Sequence, residues 1–243
     1  MDVDKLVADE AAWLARQEAR TRQKLISIYQ ESFEEIQTKL KSEKRDSYSR
    51  RHTRAIGAQL DTILQEMGDR QADVLGKDVQ LTFEKQLLRE RDAWTGLEKA
   101  FGSPKAAQQF QDIQPIVSGR AIRPLVTAQR TAIKGFSKEL SQNVRREVAK
   151  SMLAGEGMKK TTRRLKQIKD APKNEARLHL ISRMEHARAS NAGKQEYIKQ
   201  VNQEHPGLEL WQMIKGRVDR SSKTRNQSIT WANKGTVRKV TKN

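Results

Sequence analysis

A mainly α-helical chain that ends in a small α+β element follows from three features of the sequence. Apolar residues recur at spacings of three and four over most of its length. Helix breakers gather in one stretch, residues 102–125. After Gly207 the apolar spacing changes from helical to alternating. Together these predict a long-helix arm over residues 1–101, a linker over 102–125, and a basic domain over 126–243 that includes a C-terminal tail.

In the arm, Ile26, Tyr29, Phe33, Ile36 and Leu40 form a heptad-like seam, with Leu6, Trp13 and Leu14 on an earlier stretch. The polar run from Lys41 to Ser47 is read as a turn. Ile56, Leu60, Ile63 and Met67 make a second seam, which Leu75, Val79, Phe83 and Leu87 continue toward Trp94, Leu97 and Phe101. Asp69 and Asp73 flank a candidate break after Gly68. Two readings stay open: the seams pack within the chain, or they dock on partners.

The linker contains Gly102, Pro104, Pro115, Gly119 and Pro124. Beyond it, Ile133, Phe136, Leu140, Val144 and Val148 predict another helix. Gly155-Glu156-Gly157 predicts a turn, and Lys159 to Lys169 a short, very basic helix. A long helix follows Pro172 and stops before Pro206-Gly207. Leu208, Leu210 and Gln212 alternate with Glu209, Trp211 and Met213, as in a strand, and Ser228 to Trp231 suggests a second. A two- or three-stranded sheet on the long helix is expected.

Of 243 residues, 35% are hydrophobic and only 5% aromatic, a lean core that suits helices packed along narrow stripes. There is no cysteine, so disulfides and thiolate chemistry are excluded. No apolar run is long enough to span a membrane, and Met1-Asp2-Val3-Asp4 does not read as a signal segment. The expected compartment is a cytoplasm.

Charge is sharply partitioned. Residues 1–100 hold 18 Lys+Arg against 19 Asp+Glu, whereas residues 101–243 hold 30 against 11. An excess of this size suits a polyanion, most simply nucleic acid. One cluster is Lys159, Lys160, Arg163, Arg164, Lys166 and Lys169. The other runs from Lys215 to the end and includes Arg217, Arg220, Lys223, Lys234, Arg238 and Lys239, with Trp231 interleaved. Point charges without a base-reading motif predict non-specific contact with double-stranded DNA. The bland alternatives are a solvated face and a solvated tail.

Catalytic signatures are lacking. His179 and His186 share a helix face but stand two turns apart, about 10 Å, too far for one metal. Gly155 to Lys160 lacks the spacing of a phosphate loop. Neither a metal, a cofactor nor an enzyme activity is expected.

One run, Arg183-Met184-Glu185-His186 with Asn191 beyond it, lies in the long helix, where Glu185 falls in line with Leu178, Ile181, Ala189 and Ala192. It is followed by Trp211, Asp219 and Thr224-Arg225. This succession resembles the C-terminal part of the phage minor head proteins, the Mu F-like head morphogenesis family, over about residues 130 to 235. Arg183, Glu185 and Asn191 match the helix motif, with Met184 where the family has Thr, and Trp211, Asp219 and Arg225 match the later pattern. Asn226-Gln227-Ser228 replaces the His or Cys pair of many relatives. The resemblance implies a virion structural protein at the portal vertex or head interior, made in the host cytoplasm. It also implies contact with a portal or major capsid protein and a part in head assembly and DNA packaging or delivery. Self-association through the N-terminal helices is a further candidate contact. Glu185 is expected to be buried and to accept hydrogen bonds from the C-terminal segment, with Arg225 or Arg183 as charged partner. The alternative is an exposed Glu185 paired with Arg188. Rival functions are a cellular non-specific nucleic-acid-binding protein and a toxin or nuclease domain.

Overall fold

The computed structural model describes residues 3–42, 50–101, 104–205, 211–214 and 236–239. Six helices lie among them: α1 (Val3–Ser42), α2 (Arg50–Phe101), α3 (Pro104–Asp112), α4 (Gly119–Leu153), α5 (Met158–Lys169) and α6 (Pro172–Glu204). The chain divides into two compact units. Residues 1–89 and 116–194 form the first, an all-α bundle of five helices, with α2 and α6 running on into the second.

Apolar stripes at helical spacing build the bundle core. On α1, Leu25, Tyr29, Phe33, Ile36 and Leu40 are fully buried. Ile26, expected in this seam, is only half-buried, because Leu25, one turn before Tyr29, takes the inward position. On α2 the stripe runs unbroken from Ile56 through Leu60, Met67, Leu75 and Val79 to Phe83 and Leu87. The two helices are antiparallel. Gln71 Nε2 donates to the carbonyl of Leu25 at 2.8 Å, Thr21 Oγ1 donates to Asp78 at 2.8 Å, and Arg70 pairs with Glu31 at 2.6 Å.

Gly68 does not break α2. It lies inside that helix, and a Cβ there would stand 2.8 Å from Ser137 Oγ and 2.9 Å from Ser137 Cβ of α4. The glycine leaves free the space that the Ser137 side chain occupies, and so lets the two helices approach closely. Ser137 Oγ donates across the contact to the carbonyl of Leu64. The antiparallel register then repeats along both helices: Asp73 meets Arg130 at 3.5 Å, Asp69 meets Lys134 at 4.0 Å, and Asp61 takes Arg145 and Ser141.

The helices before residue 101 therefore share one core with those after 116, where charge partition alone suggests a separate arm. Within the 102–125 stretch, Pro104 opens α3 and Gly119 opens α4. Pro124 sits early in α4, where its missing N–H removes one intrahelical bond near the helix start. The structure is more helical here than a linker.

Helix α6 runs antiparallel to α1, with Ser182 Oγ donating to the carbonyl of Glu18 and Lys194 pairing with Glu10 at 2.6 Å. Its Gly193 faces α2, where a Cβ would lie 2.9 Å from the carbonyl oxygen of Phe83. Helix α5 packs against α4 and α1. Its Leu165 is buried, and Tyr29 of α1 shares its hydroxyl proton between the carbonyls of Ile168 and Lys169, at 3.2 and 3.0 Å.

In the second unit (residues 90–115 and 195–243), Trp94 stacks on Phe110 with centroids 5.7 Å apart, and Ile113, Tyr197 and Val201 are buried. Trp211–Ile214 and Thr236–Lys239 are paired antiparallel, Trp211 opposite Lys239. The second strand expected at Ser228 to Trp231 lies outside the described residues, as does the turn from Glu43 to Ser47.

Glycines at close approaches and glycines in open helix should respond oppositely to a methyl group. Gly68→Ala and Gly193→Ala are expected to lower stability by about 1–3 kcal/mol through overpacking. Gly135→Ala, whose Cβ would meet nothing within 4 Å, should raise it by about 0.5–1 kcal/mol through helix propensity. Urea midpoints of the three variants check both signs.

Candidate nucleic-acid interface

Helix α5 places six Lys and Arg in twelve residues with no acidic residue among them. Helical spacing sorts them. Leu165 and Thr161 point into the bundle and are buried. Lys159, Arg163 and Lys166, at i, i+4 and i+7, share the opposite face, with Lys160 at its edge. All four are exposed, and none forms an ion pair among the described residues. Lys159 and Lys160 stand in the first turn, where the helix dipole already disfavours positive charge.

The other two cations are engaged. Arg164 Nε donates to Glu156 Oε2 at 2.8 Å and its Nη2 to Glu156 Oε1 at 2.9 Å, a bidentate pair, and its Nη1 lies 3.5 Å from Glu147. Ser151 Oγ donates to the same Glu156 Oε2 at 3.0 Å and stands 2.6 Å from Thr161 Oγ1. Arg164 above all, then Ser151, pulls the Glu156 carboxyl down to about 2, so it stays charged at any ordinary pH. Lys169 pairs with Glu34 of α1 at 3.5 Å. Arg164 and Lys169, expected as phosphate contacts, are tied to carboxylates of the bundle instead. The turn that presents Glu156 depends on Gly155, whose φ of 63° suits a residue without Cβ.

Of the C-terminal basic cluster, Arg217, Arg220, Lys223 and Lys234 lie outside the described residues. Arg238 and Lys239 are placed by backbone only, Arg238 opposite Gln212 in the strand pair. In the long-helix motif, Arg183 and Asn191 are exposed, and Glu185 is 2% exposed. The burial expected of Glu185 holds; of its two expected charged partners, Arg183 is exposed and makes no pair with it, and Arg225 lies outside the described residues. Arg188 Nη1 donates to Glu185 Oε1 at 2.5 Å, and Oε2 has no hydrogen-bond partner among the described residues. Arg183 points outward, Trp211 stands at one end of the strand pair, and Asp219 and Arg225 lie outside the described residues. Burial pushes the Glu185 carboxyl up, against the pull of Arg188.

Beside Glu185 lies a polar junction that periodicity does not reveal. His186 is fully buried between Thr21 of α1 and Thr82 of α2, with Nε2 2.9 Å from Thr21 Oγ1 and Nδ1 2.8 Å from Thr82 Oγ1. Thr21 commits its proton to Asp78, which Lys24 pairs at 3.0 Å. Nε2 therefore carries the ring proton and donates to Thr21, while Nδ1 faces the Thr82 hydroxyl, whose one proton is shared with the carbonyl of Asp78 at 2.8 Å. A polar stripe of Ser182, His186 and Ser190 at i, i+4, i+8 is the only trace of this in the sequence.

Burial lowers His186 from 6.5 to about 4, overcoming the opposite pull of Asp78. Its neutral form thus stabilises the fold above pH 6.5, and that contribution is lost as pH falls through 6.5 toward 4. The loss should be about 3 kcal/mol. Glu185, with its raised carboxyl, acts in the other sense: its contribution is full in acid and is lost as pH rises through its folded pKa. Unfolding free energies of the wild type and His186→Gln, measured from pH 7 to pH 4, should therefore converge by about 3 kcal/mol in acid. A constant gap would mean that the ring takes up its proton as readily in the fold as in the unfolded chain.

No family model matches the chain, and neither a curated protein nor a solved structure does. The likeness to minor head proteins rests on the sequence motifs alone.

Proposed function

We propose that this chain is a virion structural protein of the minor head type, associated with the portal or inner capsid, that contacts packaged double-stranded DNA without sequence preference. One observation supports the DNA contact above others: Lys159, Lys160, Arg163 and Lys166 stand exposed and without ion pairs among the described residues, close together on one short helix that carries no acidic residue. Four cations on a short helix face neutralise phosphates by charge, and nothing in that face reads base edges. The succession from Arg183 to Arg225 supports the minor-head part of the reading.

The α1 and α2 seams are buried within the chain. Contacts with a portal or capsid protein, or between copies, would use other faces. The expected solution behaviour is binding to duplexes of unrelated sequence with equal affinity. Replacing Lys159, Lys160, Arg163 and Lys166 together by Ala should reduce the slope of log affinity against log salt by roughly 3–4. An unchanged slope would remove α5 from the interface. Mass spectrometry of purified particles tests the minor-head reading directly. Presence of the protein there supports it, and absence from particles would favour a cellular nucleic-acid-binding protein or a toxin domain.

A further inference from the structure

We infer that Glu156, with Glu147, is a positioning residue for the DNA-contacting face of α5, acting through Arg164. The inference rests on the proposed DNA contact and adds the device that makes it possible. A twelve-residue helix is marginal by itself. This one has six like charges and none of the opposite sign, and two of its lysines oppose the dipole in its first turn. Among the described residues its fully buried apolar anchor is Leu165 alone. One apolar anchor leaves a helix free to roll about its axis. Tyr29 holds the last carbonyls of the helix, and Arg164 adds an anchor to one side, along the middle of the helix, that opposes rotation.

The geometry suits that task. Glu156 grips Arg164 through both oxygens, which fixes the guanidinium plane as well as its distance. Glu156 is itself fixed. Its N–H donates to the carbonyl of Ser151 at 2.9 Å, and its carboxylate accepts from the Ser151 hydroxyl. Ser151 in turn meets Thr161, the inward residue of the first turns of α5. With Arg164 held at the flank, Lys159, Arg163 and Lys166 can only face outward. Glu147 lies against the same guanidinium and also takes Lys150 at 2.8 Å, so the last turn of α4 is tied to the same point.

Charge counting and positioning make opposite forecasts, which makes the idea easy to overturn. Neutralising an acid on a DNA-binding protein should tighten polyanion binding. If Glu156 positions α5, Glu156→Gln should weaken it. In the full-length protein, with a duplex of arbitrary sequence and anisotropy read over a salt series, Glu156→Gln is expected to lose roughly fivefold or more in affinity. The log–log salt slope should shrink by about 1–2, as phosphate contacts are lost. Glu66→Gln, an exposed acid on α2, serves as the charge control and should bind equally or slightly tighter. A lost salt slope at an unchanged urea midpoint separates positioning from general destabilisation. Hydrogen exchange provides a readout independent of DNA: amides of 158–169 should exchange faster in Glu156→Gln while those of α1 and α2 do not change. Tighter or unchanged DNA binding with unchanged α5 exchange would overturn the inference. If the wild type binds no DNA, the proposed function fails, and the exchange of α5 still decides whether Glu156 holds the helix.

Discussion

The close antiparallel approach of α2 and α4 is the constraint on which the rest of this bundle depends. It is possible because Gly68 presents no side chain to Ser137. Once those helices are in contact, their register brings Asp61, Asp69 and Asp73 opposite Arg145, Lys134 and Arg130. The two exposed pairs, Asp69 with Lys134 and Asp73 with Arg130, contribute little by themselves, whereas Asp61 is buried. As a set they disfavour slippage, since a shift of one turn would place Asp69 near Lys138 and leave Lys134 facing the wrong neighbours. Hydrophobic burial supplies the stability, and charge helps choose among the registers that would bury the same apolar area.

This pairing changes how the charge distribution is understood. The first hundred residues are close to neutral and the remainder strongly basic. That partition reads as two modules with separate tasks. In the fold, acids of the first part face bases of the second: Glu10 with Lys194, Glu34 with Lys169, and the three α2 aspartates with α4. Part of the basic excess is thus spent inside the bundle. What remains concentrated and unpaired on α5 is smaller than the composition implies, but more useful to a polyanion, because it is exposed and held in one orientation.

The buried face of α6 follows a different logic. Glu185 and His186 are adjacent, both inside, and burial moves each toward its neutral form. Two threonines from α1 and α2 satisfy the imidazole, so three helices meet at one ring. Such a junction discriminates well among packings, since an apolar face could slide and a doubly hydrogen-bonded imidazole cannot. Glu185 is less well served: among the described residues one oxygen has no partner, and the other is held by a half-exposed Arg188.

The sequence by itself determined the helices. Seams such as Tyr29, Phe33, Ile36 and Leu40, or Leu75, Val79, Phe83 and Leu87, have a period set by local backbone geometry, and that period is written in consecutive residues. The short basic helix, the turn at Gly155 and the stop before Pro206 were legible for the same reason. The sequence also showed that Glu185 falls in an apolar stripe, hence its burial. Tertiary structure alone decided which helices meet. Gly68 looks the same in a sequence whether it ends a helix or admits a neighbour, and only the position of Ser137, 69 residues later, separates the two. The same holds for Arg164, one of six similar cations until Glu147 and Glu156 come within reach, and for His186, whose partners lie 165 and 104 residues away along the chain. Local periodicity reports the side of a helix that is buried, but it carries no information about what buries it, because that depends on contacts between segments far apart in the chain.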